Sequence, residues 1–381
     1  MNANSKPVAV EQLKPDAVII SHPHQDHYGL IERLDQSIPV YLSELGSRLI
    51  DASRIFSRQP PLDNDLLFFY PWKTFEVGSF KVTPYLMDHS SPDAFAFLAE
   101  AGQTRVLYSG DFRAHGKKGV LFERYIQKPP PNIDLLLMEG TMLDRRSSDF
   151  PDERAVEEEI VRVLLDQHNT SFIICSSQNI DRLVSAFRAC KRTGKTLIID
   201  VYTAWILEQM KLVTERVPNM FWDEVKVYVP NSQYQVVKEN PDYFGDFRRA
   251  IFNPDNRIEV QQIESSPADF LQVIRLPGVN AVERYISDEP INIIYSQWLG
   301  YMERGDEGRY GAKELSWLRE GPRVNFVYAH TSGHAALEDL KRYAEAVNPK
   351  MLVPIHTECR NEFRNHFDNV LVLEDEQELV L

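Results

Sequence analysis

Short apolar runs, each closed by a polar residue, recur along the chain and set its reading. Ala17-Val18-Ile19-Ile20 leads to Ser21-His22, and Lys81 to Met87 leads to Asp88-His89. Arg105-Val106-Leu107-Tyr108 leads to Ser109-Gly110-Asp111, and Ile133 to Met138 leads to Glu139-Gly140-Thr141. Val324 to Tyr328 precedes His330-Thr331-Ser332-Gly333-His334, and Met351 to Ile355 precedes His356. Runs of this length, apolar on both faces, predict buried strands whose ends open on a common cleft. Between the fourth and fifth runs the period changes. The pattern predicts an amphipathic helix over Glu157–Gln167, a strand over Ser171–Cys175, a helix over Asp181–Arg192 and a strand over Thr196–Asp200. Strand, helix and strand in under thirty residues form a βαβ unit and imply a parallel sheet, to which Ile291–Ser296 adds a further strand. Ala335–Val347 reads as a helix with Leu337, Leu340 and Ala344 on one face. Pro129-Pro130-Pro131 is a stiff connector.

The densest chemistry follows the first run. His22-Pro23-His24-Gln25-Asp26-His27 spells H-x-H-x-D-H, in a chain with only 10 His among 381 residues. Alternate residues leaving a strand point to opposite sides unless the chain turns, so His22 and His24 converge on one ion only in a loop. Asp26 and His27 are then directed at a neighbouring position. Nitrogen ligands with one hard oxygen suit zinc, and the layout suits two ions rather than one.

The order of these motifs resembles the metallo-β-lactamase fold: a histidine motif, then a single His, an Asp and a late His. The resemblance implies an αββα sandwich in which His22, His24 and His89 hold one zinc. Asp26, His27 and His356 hold the second, with Asp111 bridging. It also implies hydrolysis by hydroxide activated between two Zn²⁺ ions, with Asp26 counted in the catalytic set. The 245 positions between Asp111 and His356 leave room for an inserted domain. Glu139 at its strand end, with Ser332-Gly333-His334-Ala335 and Pro354-Ile355-His356-Thr357-Glu358, resembles the β-CASP branch, which includes ribonuclease J. An α/β fold is therefore expected, with residues 1–145 and 321–381 forming the metallo-β-lactamase domain and 146–320 a β-CASP insertion with a parallel sheet. Glu139 and His334 are implied as a catalytic pair, the imidazolium protonating the leaving oxygen. A histidine at the last motif goes with RNA-processing members, which implies RNA as substrate, with single-stranded DNA kept open. Ser177, Ser332 and His330 are candidate substrate-binding residues, against the plainer reading of turn-forming serines and a strand-end histidine.

Composition adjusts this picture. Three cysteines, Cys175, Cys190 and Cys359, without C-x-x-C spacing, argue against a disulfide framework or thiolate zinc site and for a reducing, cytoplasmic setting. No stretch is long and apolar enough to span a membrane, so no membrane partner is expected. A formal charge of -14 is unusual for a nucleic-acid enzyme and shifts attention to local basic clusters. Arg182, Arg188, Lys191, Arg192 and Lys195 form one cluster, and Arg113, His115, Lys117 and Lys118 a second. Each is either a phosphate-attracting patch or a solvated face. Family members carry two or more strands, usually with an Asp at the end of one, ahead of the histidine motif, whereas 21 residues precede His22. Those opening strands are thus expected to be missing, leaving Val18-Ile19-Ile20, which reads as an interior strand, short of a neighbour. The chain also stops at Leu381, before the extra domain by which ribonuclease J dimerises, so a homo-oligomer or partner protein stays open. Two rival functions share these motifs: a hydrolase of thioesters, lactones or other small esters, and a nucleic-acid-binding paralogue with weakened turnover.

Overall fold

The computed structural model describes residues 15–144, 150–166, 170–276, 278–279, 282, 290–303, 312–374 and 377–381. Among them the strands are β1 (Val18–Ile19), β2 (Val40–Ser43), β3 (Leu66–Phe69), β4 (Phe75–Val77), β5 (Phe80–Met87), β6 (Ala94–Ala101), β7 (Thr104–Tyr108) and β8 (Leu135–Glu139). The later strands are β9 (Ser171–Ile174), β10 (Thr196–Asp200), β11 (Val225–Tyr228), β12 (Phe270–Ile274), β13 (Ile291–Tyr295), β14 (Val324–Tyr328) and β15 (Met351–Ile355). The chain divides into two compact units.

The first unit comprises Met1–Asp51, Pro61–Ser147 and Ser332–Leu381. Its two sheets have the orders β1-β2-β3 and β15-β8-β7-β6-β5-β4. Ile19, Tyr41 and Phe69 from the smaller sheet pack with Val82, Phe95 and Phe97 from the larger one, which places the two sheets face to face. Residues of opposite parity turn outward. Val40 and Leu42 meet Ile50 of the helix Glu44–Phe56. Met87, Ala96, Leu107, Leu136 and Leu352 meet Phe122 of the helix Val120–Gln127 and Tyr343 of the helix Leu337–Val347. Helix, sheet, sheet, helix is the αββα layering of the metallo-β-lactamase fold. The alternation of inward and outward positions along β5 and β6 creates both cores at once. Among the described residues β1 pairs only with β2, through Val18 with Val40 and Ile19 with Tyr41.

The second unit comprises Ala52–Pro60 and Ser148–Thr331. Its sheet, in the order β11-β10-β12-β9-β13-β14, is parallel throughout. The anticipated βαβ unit is present, as β9, the helix Ile180–Thr193 and β10. Asn179 caps that helix by accepting from the Arg182 amide, and Gly194 ends it at φ +68°. The preceding helix runs Glu153–Asp166, earlier than expected at its start, and Gln167 lies outside the described residues. The expected boundary at residues 320–321 falls just before β14. β14 pairs in parallel with β13 over five positions, Ile291 with Val324 through Tyr295 with Tyr328, and belongs to the second unit. A run apolar on both faces is equally at home in either sheet, and the partner strand decides. The other expected boundary, at 145–146, lies outside the described residues. No helix among the described residues is long and apolar enough to cross a membrane.

Candidate metal centre

All seven expected ligands stand at strand ends or in the loops after them within the first unit. After β1 the chain turns through the four-residue helix Gln25–Tyr28, which redirects Asp26 and His27. The turn brings His22 Nε2 to 3.1 Å from His24 Nδ1, and His89 Nε2 to 3.3 Å from the same atom. A tetrahedral zinc ion with Zn–N near 2.1 Å separates its nitrogen ligands by about 3.4 Å, so both of these nitrogen pairs are close to the edge length of a coordination polyhedron. His89 Nδ1 donates to the carbonyl of Gly333 at 2.5 Å, which leaves Nε2 with its lone pair directed into the cluster. His22 Nδ1 is 3.1 Å from Ser21 Oγ. Burial, reinforced by the neighbouring rings, pulls His22 and His89 well below the ordinary histidine range. Burial also lowers His24, to about 4 despite the nearby carboxylates. Three neutral imidazoles are the ligand form.

The second cluster is built around Asp111, which follows β7 and Gly110. Gly110 has φ +58°, and a Cβ there would lie 2.2 Å from the Phe95 carbonyl, so only glycine admits this turn. Asp111 Oδ2 lies 3.1 Å from His27 Nε2 and 3.9 Å from His22 Nε2, while its Oδ1 lies 3.1 Å from His356 Nδ1. The carboxylate therefore stands between the two clusters. His27 Nε2 is buried and faces the Asp111 carboxylate without hydrogen-bond geometry, an arrangement that a cation between them would satisfy. Asp26 Oδ2 is 3.7 Å from both His27 Nε2 and His356 Nε2. His356 leaves β15 at φ +48°, a left-handed conformation that costs a non-glycine residue about 1–2 kcal/mol. Thr141 secures it by donating from Oγ1 to its carbonyl at 3.1 Å. Burial opposes the charge on His356, but Asp111 and Asp26 outweigh it and raise the ring to about 10. Asp111 resists its own burial through His334, His27 and His356, which hold its carboxyl well below the usual range. Among the described residues four groups of ligand atoms are close enough to hold a cation, including His22-His24-His89, His22-His27-Asp111 and Asp26-His27-His356. The donor set fits a pair of zinc ions.

Glu139, at the end of β8, is fully buried and satisfied by the amides of Phe112 and Thr141, each at 3.2 Å. Its Oε2 lies 3.2 Å from His334 Nδ1, and Asp111 Oδ2 lies 3.7 Å from the same nitrogen. Burial lowers the His334 pKa, but Glu139 and Asp111 prevail and raise it.

Two comparisons identify the relatives. Residues 1–173 match the beta-lactamase superfamily domain, and residues 322–370 match the Zn-dependent metallo-hydrolase RNA specificity domain. Ribonuclease J of Sinorhizobium meliloti is 24% identical over 360 residues, covering 90% of this chain. Along nine-tenths of its length the chain is similar to ribonuclease J. Ribonuclease J2 of Bacillus subtilis is 23% identical over 361 residues, again covering 90% of this chain. The chain spans 58–59% of the length of these two relatives. A crystal structure of a protein of unknown function from Enterococcus faecalis shares the fold, with TM-score 0.74, 21% identity and 96% of this chain covered, against 81% of its own.

The three substrate-binding candidates divide between the units. Ser332, in the first, accepts the His334 amide at its Oγ, 3.1 Å away, so it shapes the turn that carries His334. His330, in the second, has Nδ1 3.3 Å from the Ser296 carbonyl. Ser177, also in the second, is 1% exposed with its Oγ 2.8 Å from Thr203 Oγ1, a hydrogen bond inside that unit. In the first basic cluster three of the charges have carboxylate partners within the second unit. Arg182 is fully buried against Glu153 at 3.1 Å, Arg192 pairs with Glu158 at 2.7 Å and Lys191 with Glu224 at 3.1 Å. Sequence reading named Asp88, Ser109 and Thr141 only as residues at strand ends and gave them no role; each lies within two positions of His89, Asp111 or Glu139, and that closeness was the available signal.

Proposed function

We propose that the chain is a metal-dependent ribonuclease that cleaves RNA phosphodiesters with two zinc ions and a His334–Glu139 acid pair. The observation that carries this reading is the 3.2 Å contact between His334 and Glu139 beside the two ligand clusters. The RNA specificity domain match and the ribonuclease J relatives support RNA as the substrate class. His22, His24 and His89 would hold one ion, and Asp26, His27 and His356 the other, with Asp111 bridging. The metal pair supplies Lewis acidity and lowers the pKa of water. The residues do the rest. Glu139 accepts from His334 Nδ1–H and orients the ring, which leaves Nε2–H as the proton given to the departing sugar oxygen. Because the His334 pKa is raised, the acid form persists to higher pH than for an ordinary histidine, and turnover falls as pH climbs through that value.

The test is cleavage of end-labelled single-stranded RNA, bearing 5′-monophosphate or 5′-triphosphate, by zinc-loaded protein with DNA alongside. His334→Ala is expected to lower turnover about 10²–10⁴-fold with zinc content unchanged. Loss of zinc in that variant, or turnover of esters but not of RNA, would sink the reading.

A further inference from the structure

The second basic cluster has no role in the mechanism above, and its geometry is not that of a phosphate-binding surface. Arg113 is fully buried. Its Nε lies 3.5 Å from Asp88 Oδ1, and its Nη1 donates to the Ser332 carbonyl at 2.9 Å. His115 Nε2 donates to that same carbonyl, also at 2.9 Å. Asp88 is tied in turn: its Oδ2 accepts the Gly116 amide at 2.8 Å, and its carbonyl accepts the Arg113 amide at 2.7 Å. Lys118 Nζ donates to the carbonyls of His89 and Ser91, at 3.2 and 3.3 Å. The turn so held has two further contacts. Ser332 Oγ accepts the His334 amide, and the Gly333 carbonyl accepts His89 Nδ1–H. Packing is close throughout. A Cβ on Gly116 would come within 2.5 Å of Arg113 Nε and of both Asp88 carboxylate oxygens, and one on Gly333 within 2.4 Å of Ser90 Oγ.

We propose that Arg113, anchored by Asp88 and seconded by His115, is a positioning residue that sets His89 and His334 together by holding the Ser332–Gly333 turn. This rests on the reading of His334 as the acid. A buried guanidinium is tolerated only beside a counter-charge, which Asp88 supplies at 3.5 Å, and its Nη1 is then committed to one peptide carbonyl. The carbonyl accepts two donors, which fixes the peptide plane in two directions. Rotation of that peptide would carry the Gly333 carbonyl off His89 and the His334 ring off Glu139. Displacements near 1 Å cost about 10²-fold in rate when they fall on a reacting group.

The experiment compares two substrates at saturating zinc, RNA and bis(p-nitrophenyl) phosphate, whose leaving group departs as a stable anion without a proton. Arg113→Gln and His115→Phe are expected to lower kcat on RNA about 10–100-fold with KM unchanged, while aryl ester turnover falls less than about 3-fold. Competition with a chelator should show zinc affinity weakened about tenfold in Arg113→Gln. His115→Phe removes a donor without leaving a buried carboxylate unpaired, so it carries the test if Arg113→Gln does not fold. Equal losses on both substrates, or no loss on RNA, would overturn the proposal. His334→Ala separates the two levels. If it loses both substrates equally, the acid assignment itself is wrong. If it is selective and the Arg113 and His115 variants are not, only the positioning role falls.

Discussion

Of the two ligand clusters built on the His22–His27 loop, the one completed by His89 is buried and uncharged, whereas the one completed by His356 is open and rich in carboxylate. The side chains of His22 and His89 are shielded, while those of Asp26 and His356 are 50% and 36% exposed. In the first cluster burial keeps every ring neutral, so a cation meets ligands ready to bind. In the second, the metal-free arrangement is an internal salt bridge, a protonated His356 between Asp111 and Asp26. One half is preorganised for metal by desolvation. The other holds its shape with a proton that the metal must displace.

The largest expected contrast is mutational. His89→Ala should cut zinc content from about two to below one per chain and reduce RNA cleavage to background, since the remaining rings cannot close a tetrahedron. Asp26→Ala should leave about one tightly held zinc, measured by elemental analysis after desalting. Equal zinc loss in both variants would erase the distinction between the clusters. Next in size is the order of release. A graded chelator titration should empty the Asp26-His27-His356 cluster first, with affinities differing by roughly 10–100-fold. A single, unresolved step would break the comparison.

The smallest effect is the proton count. At pH 8 the first zinc equivalent should release essentially no proton and the second about one, from His356, read by indicator dye in weak buffer. The sign follows from a pKa raised to about 10. His356 is charged in the metal-free fold at a pH where the unfolded chain's histidine, near 6.5, is neutral. Its contribution to the stability of the metal-free chain is complete below about 6.5 and is lost as pH rises through about 10. Zinc affinity of this cluster should rise over the same window. Two equivalents that release equal numbers of protons would show that the charge difference does not exist in solution.

The candidate ligands stand out in the sequence because each follows an apolar run, and the H-x-H-x-D-H spacing needs no knowledge of distant partners. Glu139 and His334 stand out as a pair only through the resemblance to the β-CASP branch. What stayed hidden depends on pairings between remote segments. Arg182 reads as basic surface until Glu153, on another helix, takes its charge into the interior. β6 alternates small and aromatic residues, Ala94-Phe95-Ala96-Phe97, and both sets are buried, so period alone gave no sign of two cores. β14 could not be assigned to its sheet, since the choice lies with β13. Asp88 and Arg113 resemble ordinary polar neighbours of a motif, and only the fold brings Ser332 onto them.

The pairing of β15 with β8, Met351 beside Leu135 and Ile355 beside Glu139, also governs the order of events during synthesis. A ribosome adding roughly 5–20 residues per second needs about 12–50 s to travel from Asp111 to His356. During that interval the nascent chain carries its early histidines and, once β8 is made, one open edge of that strand, while the Ser148–Thr331 part of the second unit is being synthesised. The centre is therefore completed only after the long segment between Asp111 and His356 has been made, and until then a growing chain cannot hold the complete ligand set.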